Sequence, residues 1–212
     1  AGLYTLLAAR WVGSTGRVIA LEPSAREFAR LQTNLALNRL SNVIALCVGA
    51  HARPGYARLR IAEPGHEGQN TLGAFAYDIA ELRREQIELD TLDRIASAQS
   101  LSRVDVVKID AEGAEPMILE GAGNLLDKFK PLLLIEIVES ALRGQGGTRA
   151  DIAERLCSLG YRFWIFGNTG QPEPAQAIVV DGCNIIAVHP ERSDLMAAVA
   201  GAAAPPHQDG RS

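Results

Sequence analysis

Short apolar runs alternate with amphipathic segments along the first part of the chain. The runs "RVIALEP" and "NVIALCV" have the length expected of buried strands. Segments with apolar residues at helical spacing precede the first run, as in "LYTLLAARWV", and separate it from the second. The connections are long enough for crossovers between parallel strands. This order predicts an α/β fold built on a mostly parallel sheet.

The helix between these two runs has the clearest local signal. Ser24 and Glu27 match the S-x-x-E capping box, and apolar residues recur at helical spacing from Phe28 onward. Glu22, at the end of the preceding strand, is therefore expected at the carboxyl edge of the sheet, where open α/β sheets bind ligands. The alternative is that Glu22 binds no ligand and lies there because the N-terminus of the next helix stabilises a carboxylate.

Residues 53–103 interrupt the simple alternation. "GYARLRI" alternates as a half-exposed strand does, "EPGHEGQNTLGAF" has the composition of a loop, and "QIELDTL" is a short strand that leads into a helix near Leu92–Ala98. A segment of this kind between two parallel strands is a candidate substrate lid. A surface excursion without a function fits the same composition.

The second half of the chain predicts further strands and a closing hairpin. "VDVVKI" is rich in β-branched residues, as a central strand covered on both faces would be, and "PLLLIEI" is another buried strand. A helix is predicted from about residue 149 to 159, followed by "YRFWIF" and "NIIAVHP" as an antiparallel pair. We expect one domain over residues 1–195 and a disordered tail over 196–212.

The strand "VDVVKI" runs into the charged block "KIDAEGAE". Alternation places Lys108 and Asp110 on one face of the strand, about 6.6 Å apart along it, and Glu112 follows two residues later. Charges beside a buried strand are costly to desolvate unless they are used or paired, so such clusters are enriched at functional sites. An ordinary acidic helix start, with Lys108 pairing Asp110, is the alternative. Glu115 is more typical of a first-turn helix acid than of a catalyst.

Other polar residues are weaker candidates for the same site. Glu136 is an acid inside the neighbouring predicted strand, and a lone loop histidine is more often solvated than catalytic. The remaining candidates are the alternative bases His51 and His66 and the lesser possibilities Tyr4, Thr5, Asn70 and Thr71.

Composition narrows the classes of partner and the compartment. The 212 residues carry a net charge of −4 without a basic tract, which argues against nucleic acid and anionic membranes as partners. Apolar runs fall far short of the roughly 20 residues of a membrane-spanning helix, so we expect a soluble, cytoplasmic protein. Cys47, Cys157 and Cys183 lack a C-x-x-C spacing and are expected to be buried free thiols. Because the histidines form no ligand pair, no metal site is predicted.

Several motifs occur together in the order of one known family. They are "GLYTLLAA", "GRVIALEPSAREFARLQTNLALN", "TLD", "VDVVKIDAEGAEPMILEGA" and "KPLLLIEI", and they extend to about Pro190. The chain resembles the class I Rossmann-like fold that binds S-adenosylmethionine (SAM), and within it the FkbM-type methyltransferase family. "KIDAEGAE" is the most specific part of the resemblance.

The resemblance implies a three-layer α/β sandwich, a C-terminal antiparallel hairpin, and methyl transfer from SAM to a hydroxyl of a sugar or natural-product-like small molecule. It places Gly2 at the last glycine of the nucleotide-binding loop, Glu22 at the ribose hydroxyls and Ala50 beside the adenine. Asp110 and Glu112 would lie near the methyl end of the cofactor. The central strand that precedes the loop in this family is expected to be missing from the chain.

The resulting hypothesis gives Asp110 or Glu112 the role of base or of acceptor-orienting group, with Lys108 setting their charge state. The sequence does not separate the two carboxylates. Two alternatives stay open at this point. One is a truncated, non-catalytic relic or binding module of the same fold. The other is an NAD-dependent oxidoreductase, because an acid at the position of Glu22 also suits the ribose of that cofactor.

Overall fold

The computed structural model describes residues 2–167, 170–179, 181–195 and 197. Apart from Ala197, the predicted disordered tail 196–212 lies outside the described residues. The N-terminal elements are α1 (Leu3–Trp11), β1 (Val18–Leu21), α2 (Ala25–Leu37) and β2 (Val43–Leu46). Strands β1 and β2 pair in parallel, with Val18 opposite Val43. The predicted alternation of helices and parallel strands is therefore confirmed in this part of the chain.

The predicted capping box of α2 is only half formed. Ser24 Oγ accepts a hydrogen bond from the Glu27 N–H at 3.5 Å. The Ser24 N–H, however, donates to Glu22 Oε1 at 2.9 Å instead of to Glu27. The buried Glu27 carboxylate pairs with Arg26 and Arg30. Glu22 thus takes the place that the capping box assigns to Glu27.

Residues 49–98 form a small sheet and a helix. Their elements are β3 (Gly49–Ala50), β4 (Gly55–Ala62), β5 (Glu81–Asp90) and α3 (Leu92–Ala98). The strand order is β3-β5-β4, with β5 parallel to β3 and antiparallel to β4. Strand β5 begins earlier than predicted, because the first half of this ten-residue strand is exposed and charged and has no apolar pattern. Residues 63–80, which we call the β4–β5 loop, connect the two long strands.

A five-stranded sheet occupies the second half of the molecule. Its strands are β6 (Val106–Ile109), β7 (Leu132–Ile137), β8 (Arg162–Phe166), β9 (Pro172–Ala175) and β10 (Cys183–Val188), in the order β6-β7-β10-β8-β9. Strands β6 and β7 are parallel, and β10 pairs antiparallel with both β7 and β8. The predicted C-terminal antiparallel pair and the α/β class are therefore confirmed. Strand β9 was not predicted, because "PEPA" contains two prolines and no apolar alternation.

The helices of this half are α4 (Glu115–Glu120), α5 (Gly123–Phe129), α6 (Glu139–Gly144) and α7 (Arg149–Ser158). The main hydrophobic core includes fully buried residues of β7 and β10 together with residues of these helices. Its largest fully buried members are Leu119, Leu126, Leu133, Ile135, Ile137, Leu142, Ile152, Leu156 and Ile185. Ile109 of β6 and Ile118 of α4 belong to this core, so the strand and the helix beside the charged block pack directly onto it.

Two expectations about burial are wrong. Strand β6 is not covered on both faces, since Val106 is 57% exposed and only Ile109 of its four residues is buried. It also lies at an edge of its sheet. The cysteines are free thiols, as predicted, but Cys47 and Cys157 are exposed and Cys183 is only half-buried. Every helix in the described part of the chain is too short or too polar to span a bilayer.

Candidate active site

Three carboxylates meet where strands β6 and β7 end. In the parallel register Ile109 lies opposite Ile135, so Asp110 and Glu136 follow as the next pair. Carboxylate oxygens of Asp110, Glu112 and Glu136 all lie within 4.8 Å of one another. We call these three residues the acid cluster. Acidic side chains often come this close without a metal ion, so the grouping by itself assigns no metal ligand.

Lys108 connects the acid cluster to the first helix. Its Nζ donates to Asp110 Oδ2 at 3.2 Å and to the Ile109 carbonyl at 3.3 Å. The same ammonium lies over the ring of Tyr4, 5.0 Å from the ring centroid, in a cation–π contact. The start of α1 and the end of β6 are therefore neighbours, and Asp110 has a fixed positive partner.

Two members of the acid cluster hold protons up to neutral pH. Burial, with the negative charges of Asp110, Glu136 and Glu115, raises the pKa of Glu112 to about 7. A hydrogen bond to Asp110, followed by burial, raises the pKa of Glu136 to about 7. Like charges this close cannot all ionise cheaply, so Glu112 and Glu136 keep their protons to a higher pH than an ordinary glutamate does.

A tight turn between β6 and α4 presents Glu112 to the cluster. Glu112 has a φ of +49° and Gly113 a φ of +103°, both in the left-handed region. The buried Glu115 stabilises the turn, since its Oε1 accepts the N–H of Ala111 at 2.8 Å and of Gly113 at 3.4 Å. Glu115 thus makes the contacts expected of a first-turn helix acid.

Glu22 lies at the carboxyl end of β1, beside the start of α2. Its Oε1 accepts the Ser24 N–H, and burial raises its pKa. Glu85 of β5 comes to the same helix start, where its Oε2 accepts the Ala25 N–H at 3.2 Å. The helix-terminus interpretation of Glu22 describes this contact, while its contact with a ribose stays a prediction.

Gly2 and Ala50 have structural surroundings of their own. Gly2 is the N-cap of α1 with a φ of +83°, and a Cβ added there would lie 2.5 Å from Leu31 Cδ1 of α2. Ala50, in β3, packs against the main core. No hydrogen bond or ion pair among the described residues joins Glu22 or Ala50 to the acid cluster. The structure therefore gathers Lys108, Asp110, Glu112 and Glu136, with Gly2 linked to them only through α1.

The other candidates fall in different places. The side chain of His66 is exposed in the β4–β5 loop, and the N–H of His51 donates to the Asp90 carbonyl. Asn70 accepts the Ala62 N–H through Oδ1 at 2.9 Å. Thr71, by contrast, is buried and reaches Glu112, as does Gln145, which no sequence signal indicated.

Two surface depressions of the described part of the chain lie elsewhere. One is on α2, beside Arg30 and Asn34, and the other crosses β4 and β5, beside Tyr56 and Gln86. Both are open and shallow. Neither depression includes a predicted site residue.

Comparison with known proteins agrees with the sequence motifs. The profile of the methyltransferase FkbM domain matches residues 2–163. A crystal structure of methyltransferase FkbM from Methylobacillus flagellatus KT aligns with a TM-score of 0.46 and 18% identity, covering 81% of this chain and 36% of that one. No curated protein is significantly similar in sequence. Since the profile matches well over half of the 212 residues, the chain belongs to the FkbM methyltransferase family.

Proposed function

We propose that this protein transfers the methyl group of SAM to a hydroxyl of a small molecule, such as a sugar or a natural-product scaffold. Membership of the family supports methyl transfer. The observation that carries the rest is the acid cluster, in which burial raises the pKa of Glu112 to about 7 at the carboxyl end of a parallel strand. A general base is most effective when its pKa lies near the working pH.

The surroundings of the two candidate acids favour different roles. Among the described residues Glu112 forms no ion pair, and burial raises its pKa to about 7, so we assign it the proton of the acceptor hydroxyl. Asp110 is paired with Lys108 at 3.2 Å and is suited to orient the same hydroxyl as a hydrogen-bond acceptor. Glu136, on the neighbouring strand, is hydrogen-bonded to Asp110 and is the third member of the acid cluster.

When bound, SAM supplies an electrophilic methyl group on a positively charged sulfur. Asp110 would hold the acceptor hydroxyl so that its oxygen is aligned for in-line attack. Glu112 would take the hydroxyl proton as the new O–C bond forms and the methyl–sulfur bond breaks, with S-adenosylhomocysteine as the leaving group. The proton then resides on a carboxyl whose pKa of about 7 lets it leave again at neutral pH.

The residues present fit such a cofactor by their chemistry. The Glu22 carboxylate is acceptor-only and half-buried at a strand end, which suits the two hydroxyls of a ribose. Gly2 begins α1 in the left-handed region and leaves the first-turn N–H groups of that helix without a side-chain cap. Ala50 is small enough to adjoin an adenine ring. Their roles as cofactor-binding residues are part of the proposal.

Calorimetric titration of the full protein with SAM and with NAD tests this function. We expect SAM to bind and NAD not to bind, and Glu22→Gln to weaken SAM about tenfold, because charge-assisted bonds to the ribose are lost. Glu88→Gln, the same change at an exposed position of β5, should leave the affinity unchanged. A preference for NAD would support the oxidoreductase, and binding of neither would support a non-catalytic module; both contradict the proposal.

A panel of hydroxyl acceptors then tests the reaction. The protein is incubated with methyl-labelled SAM and with hexoses, uronic acids or hydroxylated macrolides, and labelled methyl ethers are separated by mass. We expect label in at least one class of acceptor. SAM binding without any transfer to hydroxyl, amine or thiol acceptors would limit the function to binding.

A further inference from the structure

The carbonyl of Glu112 is held by two side chains that are distant in sequence. Thr71 Oγ1 donates to this carbonyl at 2.9 Å, and Gln145 Nε2 donates to it at 2.9 Å as well. Gln145 Nε2 also lies 3.4 Å from Thr71 Oγ1. Thr71 belongs to the β4–β5 loop and is 2% exposed, while Gln145 is the C-cap of α6. Three separate parts of the chain therefore meet at one carbonyl.

The backbone at this carbonyl is in a conformation that its own sequence does not favour. Glu112 has a φ of +49°, which residues with a Cβ adopt only when the surrounding contacts enforce it. Gly113 follows with a φ of +103°, and a Cβ there would lie 2.3 Å from the Ala141 carbonyl of α6. The turn is thus pressed against α6 on one side.

Thr71 is itself firmly placed. It forms a bridge with Arg60 of β4, with Arg60 N–H donating to the Thr71 carbonyl at 2.9 Å and Thr71 N–H donating back at 3.2 Å. The Gly73 N–H donates to Thr71 Oγ1 at 3.1 Å. A Cβ at Gly73 would lie 2.6 Å from Gln145 Cγ. The loop, the turn and the end of α6 are therefore packed without spare room.

Fixing the Glu112 carbonyl also fixes where its side chain points. The carboxyl faces Asp110, which follows β6, and Glu136 of β7, with Glu115 of α4 beside the turn. A rotation of this turn would carry the carboxyl away from all three. The contacts of Thr71 and Gln145 with the Glu112 carbonyl, together with those of Glu115, therefore oppose relaxation of the turn.

We infer that Thr71 and Gln145 are positioning residues: by holding the Glu112 carbonyl they keep the Glu112 carboxyl in the acid cluster and couple the β4–β5 loop to the site. The inference rests on the proposed function in that Glu112 is taken as the base. It gives the candidate lid a specific task, which is to set the geometry of a carboxyl on another element.

Thr71→Val, which is nearly isosteric and replaces the hydroxyl with a methyl group, tests the inference, with Thr71→Ser as the conservative variant. In Thr71→Val we expect kcat to fall roughly tenfold, because a small misplacement of a reacting group has a large effect on rate. The KM for SAM should stay within about twofold. Thr71→Ser keeps the donor and should restore most of the rate.

A second readout does not depend on activity. The pKa of Glu112 is followed by 13C NMR of labelled glutamate carboxyls, assigned with Glu112→Gln. In Thr71→Val we expect this pKa to move down from about 7 toward the ordinary value by about one unit, because the carboxyl becomes better solvated and leaves its acidic neighbours. Gln145→Met, which removes the other donor, should act in the same direction.

Thr91→Val is the control for a loss of stability alone. Thr91 is also nearly buried, and its hydroxyl caps α3 by accepting the Arg94 N–H at 3.1 Å. The Thr91→Val variant should have a lower melting temperature and an unchanged pKa of Glu112. If Thr71→Val only lowers the melting temperature, as this control does, the two residues are structural and the inference fails. If the wild-type protein transfers no methyl group, the proposed function fails while the titration still decides the positioning role.

Discussion

Replacing Glu112 with glutamine lowers kcat for methyl transfer by about a hundredfold or more, because a general base contributes roughly that much to a rate and an amide cannot take the proton. Asp110→Asn is expected to lower the rate less, by about tenfold or more. The effect is smaller because the amide can still accept a hydrogen bond from the acceptor hydroxyl. Single-turnover measurements with saturating SAM report both effects on the chemical step.

The pH dependence makes this expectation specific to a base. In the wild-type protein kcat should rise through about pH 7 as Glu112, whose pKa burial raises to about 7, loses its proton. The rise should disappear in Glu112→Gln. Glu120→Gln, at the exposed end of α4, is the matched control and should keep both the rate and the profile. Equal rates in wild type and Glu112→Gln would remove Glu112 from the mechanism.

Glu136→Gln should make the protein more stable at pH 8. The pKa of Glu136 is raised to about 7 by its hydrogen bond to Asp110 and by burial, so the folded state binds this proton more tightly than the unfolded state. The stability from that proton is fully present below the ordinary pKa of 4.5 and is lost as the pH rises through about 7. Glutamine keeps a donor for Asp110 and carries no charge to repel it.

The expected gain is about 1–2 kcal/mol in the free energy of unfolding at pH 8, which is less than the full shift implies because the carboxyl is only partly buried. Urea unfolding at pH 6 and pH 8 measures it, and the difference between the two pH values should shrink in the variant. Glu139→Gln is the opposite control: the Arg149 N–H and Arg143 hold the pKa of Glu139 below its usual range, so its loss should destabilise at pH 8. A Glu136→Gln protein that is less stable at pH 8 would contradict the proposed electrostatics of the cluster.

The expected effects of Glu112→Gln on the rate and of Glu136→Gln on stability have the same physical cause. The acid cluster opposes folding above neutral pH because three carboxylates are forced together, and the same proximity raises the pKa of Glu112 into the range of a useful base. Removing the negative charge of a carboxylate in the acid cluster should therefore stabilise the fold above neutral pH, and at Glu112 it should also lower the activity. Such opposition of stability and activity is common where a site is functional.

Local sequence signals predicted the elements well where apolar spacing was regular. The helix Leu92–Ala98 has the predicted bounds, and the strands near residues 20, 44 and 134 lie where the apolar runs are. Helix α6 was missed, since "ESALRG" is a single short turn segment without a repeated stripe. The buried character of β6 was overestimated because side-chain type does not reveal how far other elements cover each face of a strand.

The candidate site shows a similar limit. The link between Lys108 and Asp110 follows from alternation along one strand and is present in the structure. The closeness of Glu136 depends on the register of β6 against β7, which the sequence alone does not specify. Gln145 gave no signal at all, because its contact with Glu112 depends on how the end of α6 packs against the turn.

The position of β10 also bears on how the molecule is made. Strand β7, which carries Glu136, pairs on one side with β6 but on the other with β10, the last strand of the described chain. As the polypeptide emerges from the ribosome, this edge of β7 stays without its partner until Cys183–Val188 has been synthesised. An unpaired apolar edge invites pairing with other chains. The nascent protein is therefore prone to self-association until β10 has been synthesised.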